Sequence, residues 1–398
     1  MSPSKLFITT CISALLCGGA AAVEPIRIGA VVPLKELVGR QSANGMKLAV
    51  KELNQAGGVL GRPLELIVMD DEMNPEKGAA AIEKLATVDK VDLFVGGLSS
   101  GVHLAQIPLM KKYGKVTLWS GAASSKCERE LKDQDWYFHL QPWDYQQAQS
   151  YVDGWMAIGK KYPKVKVSKW FFAYEDGAFG VATYKANTEI FPKEWSHKGA
   201  DFKSAAVGGK GDYRVVMKRA KEEKPDIFAW VGYEADALPI VQQAKEAGFV
   251  PPILVGAPPG WPVDFHLSPL SNNVVMYTAW TPALGKVSKV SRHYSAAYKA
   301  EFDEEATAYL GALGYTSIHI AAEGIMRAGS LDTAALIAAL KQTRYESPLG
   351  ETVEFIPSKI IKHQGLSRQK IMQWQDGVLQ VIWPFEYATA QIRHPYKP

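Results

Sequence analysis

Residues 26–58 read IRIGAVVPLKELVGRQSANGMKLAVKELNQAGG, and this stretch decides the fold class. Its opening run, Ile26 to Val32, is apolar and β-branched and ends at Pro33, which predicts a buried strand. From about Ser42 the apolar residues recur at helical spacing, as an amphipathic helix requires: Met46, Ala49, Val50, Leu53. Gly57 and Gly58 then mark the end of that helix. The stretch therefore predicts a strand followed by a helix.

The alternation of strand and helix continues along the chain, pauses around Gln141 to Tyr145, and then restarts. Further strands are predicted at Leu64–Met69, Val91–Val95, Val116–Trp119, Val165–Tyr174, Asp226–Val231, Ile253–Val255 and Val274–Trp280. Further helices are predicted after Asn74-Pro75 and at Val102–Tyr113, Phe179–Ile190, Asp212–Glu223, Ala235–Ala247, Ser288–Phe302, Thr307–Arg327 and Thr333–Gln342. The polar, glycine-rich residues 198–211 carry no predicted element. Gly350–Trp383 reads as hairpin-like strands, with Asp376-Gly377 as a turn signal. This order predicts an α/β protein with two parallel, doubly wound sheets, and hence two lobes.

The N-terminus predicts export. Lys5, the apolar run Leu6 to Leu16 and the small residues Ala20 to Ala22 together resemble a cleavable signal peptide over residues 1–22. The run is too short to span a bilayer, which takes about 20 residues. A lipoprotein with its lipid on Cys17 is the second reading. Cleavage would leave Cys127 as the lone cysteine, which we interpret as structural.

Composition excludes some classes of partner. The formal net charge is +4, with 45 basic and 41 acidic residues interspersed. Nucleic-acid binding usually needs a basic patch or stripe, so we expect no nucleic-acid partner. The eight histidines show no metal-ligand spacing, and the GxxxxGK[ST], HExxH and GxSxG motifs are absent. We therefore expect neither a metal, a cofactor nor an enzyme active site.

Two loops on the first predicted sheet have the chemistry of an anion site. One loop, Gly96 to Gly101, contains Ser99 and Ser100 and lies between a strand and a helix. The next, Trp119 to Ser124, repeats the arrangement with Ser120, Gly121, Ala122 and Ala123. Glycines allow close approach of the backbone, and a helix N-terminus offers free N–H groups to a carboxylate. Ordinary turn chemistry explains either loop alone, but two adjacent ones favour a ligand site.

Loops on the second predicted sheet supply aromatic candidates. Phe179 follows one strand, and Tyr233 and Glu234 follow another. Pro258 lies in an unusual rigid loop, Ala257 to Trp261. Trp143 and Trp280 lie near strand ends where the two units join. Pockets prefer such domain interfaces, although core packing explains most aromatic residues.

The opening residues resemble those of branched-chain amino acid binding proteins of ABC importers. The similar segments are Ile28–Leu34, Asn44–Val50, Asn54–Gly61, Gly61–Pro63, Met69–Glu72, Lys224–Asp226 and Ala244–Phe249. The resemblance covers nearly the whole mature chain. It implies a type I periplasmic-binding fold, with two lobes joined by a hinge of three crossings. Lobe 1 would hold residues 23–143 and 281–365, and lobe 2 would hold 144–280 and 366–398.

The resemblance also implies roles for the candidate residues. In amino-acid-binding members the first-lobe loops hold the α-carboxylate, which maps here onto Ser99 or Ser100, Ser120 and the amides of Ala122 and Ala123. Second-lobe aromatics of the family fall near Phe179 and Tyr233. The acidic residue that neutralises the ligand's amino group falls on Pro258 or Pro259, and a tyrosine of the first loop falls near Val38.

Proline in place of the family's acidic residue leaves open whether the ligand carries an amine. A buried ammonium without a counter-charge is costly. Either Glu234 or Asp264 substitutes, or the ligand lacks an amine, which we favour. We therefore expect a monomeric, periplasmic solute-binding protein that delivers a small carboxylate ligand, an amino acid or an aromatic or other organic acid, to a membrane permease. The alternatives are a ligand-sensing receptor or regulator domain of the same fold and, less favoured, an enzyme.

Overall fold

The computed structural model describes residues 23–256, 261 and 265–397. The predicted signal peptide lies outside these residues, and so do Pro258, Pro259 and Asp264. No helix in the described part of the chain combines the length and apolar character that crossing a membrane requires.

The first sheet is fully parallel, in the order β2-β1-β3-β4-β5. Its strands are β1 (Ile26–Val32), β2 (Leu64–Asp70), β3 (Leu93–Gly96), β4 (Thr117–Trp119) and β5 (Tyr137–His139). Ile28 of β1 pairs with Leu66 on one side and Leu93 on the other, and it is buried. Parallel pairing needs a crossover between strands, which explains why a helix follows each of the first four strands.

Four helices provide those crossovers, and three more pack on the same sheet or extend it. The crossovers are α1 (Leu37–Gln55), α2 (Pro75–Thr87), α3 (Ser100–Tyr113) and α4 (Ser125–Glu130). The others are α9 (Lys289–Phe302), α10 (Tyr309–Ala328) and α11 (Thr333–Leu340). Helix α10 lies so close to α1 that a Cβ on Gly45 would be 2.1 Å from the carbonyl oxygen of Gly311. A late segment of the chain thus completes the core of the first lobe.

The second sheet has seven strands in the order β14-β13-β10-β9-β8-β6-β7. They are β6 (Lys169–Glu175), β7 (Ser196–Phe202), β8 (Ile227–Val231), β9 (Ile253–Gly256), β10 (Val275–Thr278), β13 (Lys370–Gln375) and β14 (Val378–Trp383). Its helices are α5 (Asp144–Lys161), α6 (Ala178–Glu189), α7 (Arg214–Glu223) and α8 (Glu234–Glu246). A two-stranded ribbon, β11 (Tyr345–Glu346) and β12 (Thr352–Val353), precedes β13. The last two strands are antiparallel and extend the sheet at the β10 edge.

The chain passes between the two lobes three times, after β5, after β10 and before β13. Two crossings run side by side, because the N–H of Gly365 donates to the His139 carbonyl at 2.7 Å. The third is held by Lys370, a buried lysine whose ammonium donates to the Ala279 carbonyl at 3.2 Å and pairs with Glu351. The predicted two-lobed α/β fold with three crossings is confirmed, whereas the residue bounds of the lobes stay a prediction.

The predicted elements need several corrections. Residues 198–211 are not free of structure, because β7 begins at Ser196 as an edge strand whose side chains are mostly exposed. Helix α7 begins after Tyr213 rather than after Asp212. Helix α1 begins at Leu37, five residues before the predicted start. Helix α5 was not predicted.

A carboxylate joins three helices of the first lobe. Glu52 on α1 accepts a hydrogen bond from the Tyr315 hydroxyl at 2.6 Å and lies 3.0 Å from Nε2 of His293. Nε2 of His319 is 3.8 Å away. Burial opposes ionisation of Glu52, but His319, Tyr315 and His293 outweigh it and lower its pKa to about 2. The ionised form is therefore the one that stabilises the packing of α1, α9 and α10.

We predict that Glu52→Gln lowers the free energy of unfolding by about 1.5–3 kcal/mol at pH 7, the range for hydrogen bonds to a charged group. The native pKa is depressed, so the contribution is present above pH 4.5 and is lost as the pH falls toward 2. Urea denaturation at pH 7 and pH 3 should show the difference shrinking at the lower pH. Glu301→Gln, which breaks a surface pair with Lys51, is the control and should cost at most about 0.5 kcal/mol. An equal loss at both pH values would contradict this account.

Candidate functional site

The two loops after β3 and β4 are built against each other at the carboxyl edge of the first sheet. The Ser99 hydroxyl caps α3 by accepting the Val102 N–H at 3.5 Å. The Ser100 hydroxyl accepts the Ser124 N–H at 3.1 Å, which ties one loop to the other. A Cβ on Gly121 would be 2.3 Å from the carbonyl oxygen of Gly97, so only glycine permits this approach. The glycines therefore hold the serines of both loops together.

Some polar groups of these loops have no protein partner. The Ser120 hydroxyl is fully buried and forms no hydrogen bond with the part of the chain that the structure describes. The Ala123 N–H has no acceptor among the described residues. The Ala122 N–H, in contrast, donates to the Leu98 carbonyl at 2.9 Å and is already used. A buried polar group without a partner is unfavourable, so Ser120 and Ala123 are candidates for hydrogen bonds to a ligand.

An aromatic stack supports the loops from beneath. His103 stacks on Trp119 at 4.8 Å, and its Nε2 lies 2.9 Å from the Tyr137 hydroxyl. That hydroxyl lies 3.0 Å from Nδ1 of His139, on which Trp143 stacks at 3.7 Å. Burial lowers the pKa of His103 to about 3 and that of His139 well below its ordinary value, so both rings are neutral. The stack is a buried support for the loops rather than an acid–base pair.

Carboxylates organise the loops of the second sheet. Glu175, at the end of β6, accepts the N–H groups of Gly177 and Gly180, both at 2.6 Å. Asp236, in the first turn of α8, accepts the Tyr233 N–H at 2.8 Å. Phe179 and Tyr233 then lie side by side, with ring centres 5.7 Å apart. The second lobe thus presents two adjacent aromatic rings on fixed loops.

The edges of the two sheets face each other and make contact. The Ser99 hydroxyl of lobe 1 lies 3.5 Å from the Tyr233 hydroxyl of lobe 2. The N–H of Leu37, the first residue of α1, donates to the Glu234 carboxylate across the same boundary. A groove of about 410 Å³ opens beside these contacts. It is lined by residues 72–75, Ser99 and the start of α3 from one lobe, and by residues 175–178, Ala206, Val207 and Tyr233 from the other.

The interlobe contact concentrates negative charge. Glu36 precedes Leu37 and is half-buried. Burial, and then the charges of Glu234 and Asp236, raise its pKa to about 7. Burial also raises the pKa of Glu175, against the effect of its two backbone hydrogen bonds. The contact between the lobes therefore places carboxyl groups of both lobes close together.

The structure places only some of the predicted site residues at or near the interlobe contact. Ser99, Tyr233 and Glu234 lie at the interlobe contact. Ser100, Ser120, Gly121, Ala122 and Ala123 form the loops behind it, and Phe179 lies beside Tyr233. Trp143 and Trp280 are fully buried. The indole N–H of Trp280 donates to Ser291 on α9, which places this side chain in the lobe 1 core. Pro258 lies outside the described residues, and the ligand-binding roles of all these residues stay a prediction.

The sequence patterns did not predict that Glu36 and Leu37 lie at the interlobe contact. The available signal was their place after β1, since residues that follow a parallel strand lie at its ligand-binding edge.

The lone cysteine of the mature chain lies in the core. Cys127 is fully buried, and its Sγ donates to the Ser100 carbonyl at 3.5 Å. Burial raises the pKa of that thiol, which keeps it unreactive. Within the described ranges, no three His, Cys, Asp or Glu side chains are grouped to hold a metal ion.

Comparisons with known proteins agree with this architecture. The model of the periplasmic binding protein family matches residues 25–378. Leu/Ile/Val-binding protein homolog 7 of Brucella suis biovar 1 (strain 1330) is 26% identical, with 98% of this chain and 99% of the relative covered.

Solved structures show the same fold at low identity. The branched-chain amino acid transporter substrate-binding protein of Streptococcus pneumoniae, in complex with isoleucine, has a TM-score of 0.77 at 22% identity. That alignment covers 94% of this chain and 100% of the other. A solute-binding protein of an ABC transporter from R. palustris, in complex with benzoate, has a TM-score of 0.76 at 17% identity over 90% and 96% of the two chains. The chain therefore belongs to the periplasmic binding protein family, a family of solute-binding proteins, as its resemblance to the branched-chain amino acid binding proteins predicted.

Proposed function

We propose that this chain is an exported solute-binding protein of an ABC transporter, which encloses a small carboxylate-bearing ligand between its lobes. The observation that carries the proposal is the fully buried Ser120 hydroxyl that has no protein partner. It lies in a loop that the Gly121–Gly97 contact fixes at the carboxyl edge of the first sheet. Ligands of open α/β sheets bind at this edge.

The chemistry of the edge favours an anion. Ser120 supplies a hydroxyl donor and Ala123 a free N–H, and the N-terminus of α3 adds its partial positive charge. A carboxylate accepts several such hydrogen bonds at once, whereas an ammonium accepts none. The unpartnered donors of lobe 1 therefore support a ligand with a carboxylate directed at these loops.

The rest of the ligand would meet the second lobe. Phe179 and Tyr233 offer apolar ring surface, and both are almost fully buried in the closed arrangement. Isoleucine and benzoate, the ligands of the two structural neighbours, share a carboxylate on a compact apolar body. Such a body would complete the apolar side of the site. This supports an amino acid or an aromatic acid as the ligand class.

The ligand could carry an amine or lack one. Glu234, the described candidate for its counter-charge, accepts the Leu37 N–H of the other lobe. Of the other carboxyl groups at the contact, Glu175 and Asp236 are bonded within lobe 2, and Glu36 has its pKa raised to about 7. A buried ammonium would therefore have to share a carboxylate that is already bonded or stay unpaired, which is unfavourable. We therefore propose an amine-free carboxylate as the preferred ligand. Export to the periplasm, a monomeric state and delivery to a membrane permease complete the proposal, and no catalytic step is assigned.

A thermal-shift screen tests the ligand class. The mature chain, from residue 23, is unfolded in guanidinium, refolded to remove bound ligand, and screened against branched-chain, aromatic and polar amino acids and against benzoate- and phenylpropanoate-type acids. A ligand at about 100 times its Kd should stabilise the fold by roughly 2.7 kcal/mol. We expect the largest shift from amine-free acids. A shift with amino acids alone would contradict the amine-free preference, and no shift with either class would contradict the proposed function.

Ser120→Ala separates binding from folding. We predict that the best ligand of the screen binds about 10- to 150-fold more weakly, since a hydrogen bond to a charged group contributes roughly 1.5–3 kcal/mol. The ligand-free variant should unfold no more readily than the wild type, because the hydroxyl has no partner to lose. Calorimetric titration and urea denaturation measure the two quantities. Ser295→Ala, whose hydroxyl bonds back to the Ser291 carbonyl within α9, is the control and should leave affinity unchanged. Unchanged affinity in Ser120→Ala would remove the anion site from the account.

A further inference from the structure

Helix α1 is not capped by its own residues. Its N-cap residue, Glu36, makes no side-chain bond to the helix, and its first turn contains no acidic residue. The first N–H groups of a helix need acceptors, and a negative charge near them is favourable. Here the acceptor for the Leu37 N–H is the carboxylate of Glu234, which belongs to α8 of the other lobe. The cap exists only when the lobes are together.

We propose that Glu234 is a latch that holds the closed form by capping α1 across the cleft, and that Glu36 makes this latch depend on pH. The proposal rests on the proposed function, because it requires lobes that open and close. It goes beyond that function in assigning control of closure to two residues rather than to the ligand alone.

Closure has two opposing effects on the free energy of the closed form. Closure gives α1 its missing acceptor, but it also brings the Glu36 carboxyl beside the carboxylate that bonds to its own neighbour, Leu37. Asp236 adds a second negative charge two residues along α8. Asp236 itself is held by the Ser204 hydroxyl at 2.6 Å and the Ala205 N–H at 2.8 Å, so it cannot turn away from the contact. Closure is therefore least costly when Glu36 is protonated.

The two cations next to this segment of the chain pair with other carboxylates. Among the described residues, Lys35 is directed to Glu72 at 3.5 Å, and Arg40 is directed to Glu304 at 3.7 Å. Tyr233, the other titratable group that faces Glu36 from lobe 2, has its pKa raised by burial and stays neutral. Glu36 thus faces two carboxylates and a neutral phenol.

The direction of the pH effect follows from the closed-state titration of Glu36. Its pKa is 4.5 ordinarily and about 7 in the closed form, so closing takes up a proton between these values. The closed form is therefore favoured below about pH 5 and loses that advantage as the pH rises through 7. Between pH 5.5 and pH 8 the ratio of closed to open molecules should fall roughly 10- to 30-fold.

Distance measurement between spin labels tests the latch without any ligand. Glu76→Cys and Lys210→Cys place labels at exposed positions. Glu76 follows a groove-lining residue of lobe 1, and Lys210 lies three residues beyond one of lobe 2. Buried Cys127 stays unlabelled. We expect the short-distance population of the refolded, ligand-free chain to be larger at pH 5.5 than at pH 8. Glu36→Gln should raise that population at pH 8 and remove the pH dependence. Glu234→Ala should lower it at both pH values, whereas Glu234→Gln, which keeps an acceptor for Leu37, should not.

Glu222→Gln is the matched control. This exposed acid lies near the carboxyl end of α7, away from the edge that carries Tyr233, and its removal should change neither the distances nor their pH dependence. Circular dichroism verifies that each variant is folded. Identical distance distributions at the two pH values in the wild type, or no change in Glu36→Gln, would overturn the latch. Because no ligand is present, that result would leave the proposed ligand binding standing, and a failed ligand screen would leave the latch testable.

Discussion

Parallel pairing of β1 with β2 and β3 is the constraint on which the rest of this structure depends. Ile28 aligns with Leu66 on one side and Leu93 on the other, so all three strands end at the same edge. Each following helix then begins at that edge with unsatisfied N–H groups. The second sheet repeats the arrangement with β6 and β8. Polar loops and helix N-termini of both lobes are thereby directed into one cleft.

Some polar groups of these loops form hydrogen bonds within the protein, whereas others have no partner among the described residues. Asp236 and Glu175 are bonded within lobe 2, and they fix the loops that carry Tyr233 and Phe179. The Ser120 hydroxyl in lobe 1 is buried without a partner. This difference supports the proposed role of lobe 1, whose unpartnered Ser120 hydroxyl could donate to a ligand carboxylate.

The sequence correctly predicted the helices, strands and turns that depend on local residue patterns. The strand and helix of residues 26–55 were recovered because their apolar periodicity is strong. Helix α5 was missed because its buried face includes Gln147, Ser150 and Tyr151, which hide the hydrophobic pattern. The turn signal Asp376-Gly377 correctly predicted the β13–β14 hairpin, since both residues adopt positive φ.

The site was predictable only where its residues follow strands. Ser99, Ser120 and Tyr233 follow β3, β4 and β8, and this rule selected them as candidates, whose ligand-binding roles stay a prediction. The pairing of Leu37 with Glu234 joins positions 197 residues apart, which no local pattern encodes. Trp280 follows β10 in the same way, yet its indole N–H bonds to Ser291 in the lobe 1 core. Position in the chain thus indicates the edge of the sheet, whereas the direction of a side chain depends on tertiary packing.

Small-angle X-ray scattering during a ligand titration tests the central claim most directly, that two lobes close on one small carboxylate. The refolded, ligand-free chain would be titrated with the acid that gave the largest thermal shift, and its radius of gyration followed. We expect the radius of gyration to decrease and to level off at one equivalent of ligand. A radius that stays constant while the ligand binds, or one that changes only beyond one equivalent, would contradict that claim.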